Sequence, residues 1–101
     1  MKGRRLPLYE FPKLPGDYMG PVMGYTADLF AVFFLKPNAF DIGAPRRARA
    51  IQHVVCPPHR FRECSDGSLE IRESLSDRAG GGGDSDGWHG YLDEGHIWRR
   101  V

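Results

Sequence analysis

Four candidate metal donors fall close together in the chain: His53, Cys56, His59 and Cys64. Cys56-x-x-His59 has the spacing of a zinc-ligand pair, and two thiolates with two imidazoles would fill a tetrahedral site. Strand alternation works against it. Residues 50–56 read as a strand, on which positions three apart point to opposite faces, so His53 and Cys56 would diverge. Asp84-Ser85-Asp86-Gly87 resembles half a calcium loop, but glycine follows Asp86 directly and Gly95 stands where a closing glutamate belongs. The glycine run at 80–83 lacks the Lys-Ser/Thr that would make it a phosphate loop. No metal and no other cofactor is therefore expected.

Ser74 and His89 offer a different chemistry. A serine hydroxyl becomes a nucleophile only beside a base, and an imidazole base needs an acceptor to orient it. Ser74 closes one predicted strand and His89 opens the next, with the glycine loop between them long enough to let the two strands lie side by side. Asp86 or Asp93 could orient His89, and backbone N–H groups of the glycine-rich turns could cradle an oxyanion.

The elements that must position this pair follow from apolar periodicity. Residues 29–35 form the longest apolar run, seven residues, which is a buried strand and far short of the roughly 20 a membrane span needs. A loop with Pro37, Asn38, Gly43 and Pro45 separates it from the strand at 50–56. Residues 60–64 and 68–75 alternate about Ser65-Asp66-Gly67, a hairpin signal. A two-residue turn would oppose Glu63 to Glu70. A three-residue loop with Gly67 left-handed pairs Arg62 with Glu70 and Phe61 with Ile71, and charge favours it. A second hairpin is expected at 88–93 and 96–101 about a Glu94-Gly95 turn. That register sets Leu92 opposite Ile97 and Trp88 opposite Val101, and leaves His89, Tyr91, Trp98 and Arg100 on the other face.

Before residue 29 the pattern changes. Pro7, Pro12, Pro15, Gly16, Gly20, Pro21 and Gly24 recur too often for a helix or a central strand, yet Leu8, Tyr9, Phe11, Tyr18 and Met19 lie among them. The expectation is a Pro/Gly-rich arm over residues 1–28 and a mostly β domain over 29–101, built of antiparallel hairpins with long loops. Its 101 residues suit a single domain, and no internal repeat is visible.

Lys+Arg 14 against Asp+Glu 13 leaves a net charge of +1, which excludes an acidic disordered tail and a uniformly basic clamp. Charge is nonetheless segregated: residues 46–62 carry five arginines and no acid, whereas 63–94 carry nine acids against Arg72 and Arg78. Mutual compensation on a solvated surface accounts for this, and nucleic acid is not an expected partner. Met1–Pro7 is basic without an apolar stretch behind it, so neither a secretory signal nor a membrane segment is expected. Two cysteines make no disulfide framework, and the cytoplasm is the expected compartment.

Leu69-Glu70-Ile71-Arg72-Glu73-Ser74-Leu75, a loop, and then Trp88-His89-Gly90-Tyr91-Leu92-Asp93-Glu94-Gly95-His96-Ile97-Trp98 together resemble a small bacterial and phage family, over residues of about 55–101. That family, long a domain of unknown function, includes the BubE-like proteins found beside bacterial ubiquitin-like conjugation genes. Its pattern is leucine-x-leucine-serine-proline-serine-isoleucine, a variable loop, then cysteine-histidine-x-aromatic-aliphatic-x-aspartate-glycine-x-isoleucine. Ser74 falls on the second serine, His89 on the histidine, Tyr91 on the aromatic and Gly95 on the glycine. Arg72-Glu73 stands where the family has serine-proline, Trp88 where it has cysteine, and Lys36-Pro37-Asn38 where many relatives carry a cysteine-rich cluster. The resemblance implies a peptidase-like site, with Ser74 as nucleophile and His89 as base, acting on a ubiquitin-like tail. The alternative is a non-catalytic protein-interaction module that binds through an aromatic surface of Tyr91 and Trp98 and through the N-terminal arm.

Overall fold

The computed structural model describes residues 1–24, 26, 28–39, 50–77 and 88–101. Among these, all regular structure is β, as expected. The strands are β1 (Arg4–Leu6), β2 (Asp17–Met23), β3 (Phe30–Phe34), β4 (Gln52–Cys56), β5 (Arg60–Glu63), β6 (Leu69–Asp77), β7 (Trp88–Asp93) and β8 (Ile97–Arg100). They form two four-stranded sheets in chain order, β1-β2-β3-β4 and β5-β6-β7-β8. Every pairing is antiparallel except β1 with β2. Both sheets feed one core: Tyr18, Val32, Phe34 and Val54 come from the first, and Leu69, Ile71, Leu75, Trp88, Leu92 and Trp98 from the second.

Residues within 1–28 supply two strands, β1 and β2, of the first sheet. β2 lies between β1 and β3, and Tyr18 and Met19 are buried. A register shift between Met19 and Val22 takes up Gly20-Pro21, which is how a proline is tolerated inside an interior strand. Upstream, residues 1–3 lie along β8: Lys2 bridges Ile97, Gly3 N donates to His96 O (2.6 Å), and Trp98 N donates to Met1 O (2.8 Å). The chain therefore begins against the second sheet and continues as β1 in the first.

The first hairpin has the expected three-residue loop. Arg62 pairs with Glu70 and Phe61 with Ile71, and Gly67 takes φ +87°. The second hairpin corrects the expectation by one residue. Its loop is Glu94-Gly95-His96, with positive φ at both Gly95 (+85°) and His96 (+63°), so Asp93 pairs with Ile97 and Leu92 with Trp98. A one-residue slip exchanges the faces of a whole strand. Trp98, expected on the outer face with Tyr91, is instead buried, and Ile97 takes the exposed position. Burying an indole removes more apolar surface from water than burying an isoleucine, which favours the observed register. Trp98 Nε1 donates to Gly16 O (2.8 Å), and its ring meets those of Phe34 and Trp88 at 5.4 Å.

Gly90, in the middle of β7, is there for space. A Cβ at this position would stand 2.1 Å from Arg99 O and 2.5 Å from the Trp88 ring, which folds across it into the core.

Candidate functional site

β6 and β7 pair regularly from Leu75–Gly90 to Asp77–Trp88, and again at Ile71–Leu92. Between these stretches, Arg72, Glu73 and Ser74 stand opposite Tyr91 alone. Such a bulge interrupts the ladder and re-aims side chains. Ser74, half-buried, meets the exposed ring of His89 across the strands, with Ser74 Oγ 2.9 Å from His89 Nε2. Two residues joined in sequence only through the glycine loop are thus within hydrogen-bond reach.

Ser74 has a second imidazole at its back. His59 Nε2 lies 3.1 Å from the Ser74 carbonyl oxygen. A carbonyl only accepts, so this nitrogen carries the proton. His59 sits just before β5, whose pairing with β6 ends at Arg60–Arg72. Sequence reasoning weighed His59 only as a zinc ligand. Its contact with Ser74 depends on where β5 stops pairing, which no local spacing records.

Asp93 does not orient His89. Four positions along β7 put the two residues about 13 Å apart, and the Asp93 carboxylate is committed elsewhere. Arg72 Nη2 donates to one oxygen and Arg99 Nε to the other, each at 2.8 Å. Burial pushes this carboxyl up, but the hydrogen bonds from Arg99 and Arg72 outweigh it and hold the group below the ordinary carboxylate range. The same two guanidinium groups lie over the Tyr91 ring, at 5.2 Å for Arg72 and 4.3 Å for Arg99. Tyr91 is therefore part of a charged cluster. Asp86, the other candidate orienting acid, lies outside the described residues, as does the glycine run at 80–83.

The four candidate zinc donors are distributed differently. Cys56 and Cys64 are buried as free thiols, and burial pushes the Cys56 thiol up. His53 is exposed, 5.8 Å from the ring of Phe33, and His59 is engaged with Ser74. Among the described residues, no three side chains of metal-binding type converge on one point, and no helix is long and apolar enough to cross a membrane.

What the arrangement can do follows from its atoms. Ser74 Oγ can pass its proton to His89 Nε2 if the ring's other nitrogen bears the hydrogen, and the bulge presents the hydroxyl at the protein surface. Comparison with protein-family models, with curated proteins and with solved structures finds no match to this chain.

Proposed function

We propose that the protein is a peptidase-like hydrolase in which Ser74 is the nucleophile and His89 the general base. The observation that carries this reading is the 2.9 Å separation of Ser74 Oγ and His89 Nε2 on a solvent-accessible bulge. In the first half-reaction, Oγ transfers its proton to Nε2 and bonds to the substrate's carbonyl carbon. The C–N bond then breaks, and the leaving amine takes the proton from His89. In the second, water gives a proton to His89, attacks the acyl-serine and releases the acid, and Ser74 regains its proton. The tail of a ubiquitin-like protein, suggested by the resemblance over residues of about 55–101, is the substrate of this proposal.

Among the described residues no carboxylate orients His89, and a serine–histidine pair lacking one is a slow catalyst. In a well-studied serine protease, losing that carboxylate's charge lowers turnover by about 10⁴-fold. The decisive experiment therefore reads the nucleophile directly. A fluorophosphonate probe should label Ser74 between about pH 6 and 9, the span over which histidine titrates. His89→Ala should abolish labelling while the melting temperature holds, and Ser65, Ser68 and Ser76 should stay unmodified. Absence of labelling in well-folded protein would refute the hydrolase.

A second reading, a non-catalytic interaction module, draws on a different observation. Leu8, Tyr9, Phe11 and Leu14 are all about half exposed or more, and Met23 is 70% exposed. These side chains, rather than Tyr91 and Trp98, would form its apolar contact surface.

A further inference from the structure

β6 outlasts its partner. β5 pairs with it only as far as Arg72, whereas β6 continues to Asp77. From Glu73 onward, the β5 side of β6 has no neighbouring strand among the described residues. The β4–β5 connection turns into this gap, where His59 holds the Ser74 carbonyl. Beside it lies a cavity of about 260 Å³, lined by Phe34, Val55, Pro58 and Leu75 with the imidazoles of His53 and His59. Among the described residues, no carboxylate or guanidinium lines it. Its volume falls below the roughly 300–1,000 Å³ of pockets that enclose whole drug-sized ligands, which suits a single side chain. Leu75 and Ser76 also line it, so it opens one residue from Ser74.

An open strand edge and an uncharged pocket are the two halves of β-augmentation: backbone pairing supplies affinity, and a pocket for one side chain supplies selectivity. We infer that the edge of β6 beyond Ser74, which has no neighbouring strand among the described residues, binds an extended peptide and that this cavity receives one of its apolar side chains, of leucine or isoleucine type. An ammonium or guanidinium side chain would lose its hydration there, and a carboxylate would have only the two imidazoles in place of water. That the bound peptide is also a substrate rests on the Ser74–His89 reading; the binding itself does not.

The test separates the two. Ser74→Ala protein, which removes the nucleophile, is titrated with acetyl-Gly-Leu-Gly-amide and acetyl-Gly-Asp-Gly-amide while backbone amide NMR shifts are recorded. Saturable shifts at Val55, His59 and Ser76 with the leucyl peptide alone are expected. Val55→Trp should fill the cavity and weaken binding at least tenfold. Ser76→Trp, at an exposed position, gives the same readout should Val55→Trp unfold. Shifts mapping elsewhere, equal response to the aspartyl peptide, or undiminished binding by a folded plugged variant would overturn the inference. In the unmodified protein, 4-nitrophenyl butyrate should be cleaved with kcat/KM about tenfold above the acetate, from two added methylenes. Turnover without that preference overturns the cavity as the acyl subsite. Binding without any turnover overturns Ser74 as nucleophile and leaves the peptide site standing.

Discussion

The outward faces of the two sheets solve the same problem in opposite ways. On the second sheet, Arg62 reaches Glu70 (3.0 Å) and Glu94 (3.5 Å), Arg72 reaches Asp93 (2.8 Å), and Arg99 closes on the same Asp93 (2.8 Å). Arg62, Glu94 and Arg99 are about half exposed, Arg72, Glu70 and Asp93 less so, and the charges hold one another in place. The first sheet turns apolar groups outward instead. Phe11, from the β1–β2 connection, packs edge-on against Phe33 (5.7 Å), and a groove of about 340 Å³ lies beside them, lined by Val22, Met23, Phe30 and Val55. Its ion pair of note is asymmetric: Asp17 is 3% exposed and Arg4 58%. Many visible ion pairs on one face should therefore contribute less to stability than one buried carboxylate and one aromatic contact on the other.

The largest effect is expected at Asp17. Its carboxylate accepts from Arg4 Nε and Nη2 and from the backbone N–H groups of Lys13 and Leu14. Asp17→Ala strands those amides and should cost about 3 kcal/mol in urea unfolding, at roughly 1 kcal/mol per hydrogen bond or slightly less. A loss under about 1 kcal/mol would break the comparison. Phe33→Ala removes a half-buried ring and should cost about 2 kcal/mol, less than the 3–5 typical of a fully buried phenylalanine. Made in a Phe11→Ala background, it should cost less by about 1 kcal/mol, the usual worth of an edge-on aromatic pair. At the small end, Arg62→Ala should leave the urea midpoint nearly unchanged despite its two ion pairs.

Acid should expose the same asymmetry. Asp17, Glu63, Glu70 and Asp93 all titrate below their ordinary values: burial is outweighed at Asp17 by hydrogen bonds from Arg4 and the Leu14 and Lys13 amides and at Asp93 by those from Arg99 and Arg72, and Arg5 and Arg62 bind Glu63 and Glu70. Their unfolded forms take up protons first as pH falls. The stabilisation is thus complete above the ordinary carboxylate range of about pH 4 and is lost progressively below it. Melting temperature should hold from pH 7 to 5 and fall from 4 to 2, and Asp17→Asn should flatten that fall more than Glu70→Gln.

What the chain disclosed in advance divides along physical lines. The register of the first hairpin was legible because opposite charges, Arg62 and Glu70, sit where only one loop length brings them together. The second was misread because Glu94-Gly95 invites a two-residue turn, and nothing local shows that His96 will also adopt a left-handed backbone. β2 was hidden by Pro21, whose cost is absorbed by a bulge that only the partner strand reveals. At the candidate site, adjacency of β6 and β7 sufficed to bring Ser74 to His89. The engagement of Asp93 was not legible. Its partners Arg72 and Arg99 lie 21 and 6 residues away and compete for the carboxylate expected to serve His89.

The clasp made by residues 1–6 bears on how the molecule is made. Met1 and Gly3 bond to Trp98 and His96, while Arg5 reaches Glu63 with both terminal nitrogens (2.6 Å each). During synthesis these first residues leave the ribosome ahead of every partner named here. Residues 4–6 can pair with β2 and Arg5 can meet Glu63 earlier, but residues 1–3 remain unmatched until β8 has emerged, so the clasp is complete only then. Contacts between such distant parts of a chain carry the highest loop-closure entropy, and they slow folding accordingly. A nascent chain stalled before β8 would hold its first hairpin with the inner face of that sheet uncovered, which is the stage at which a β protein is most exposed to wrong pairing.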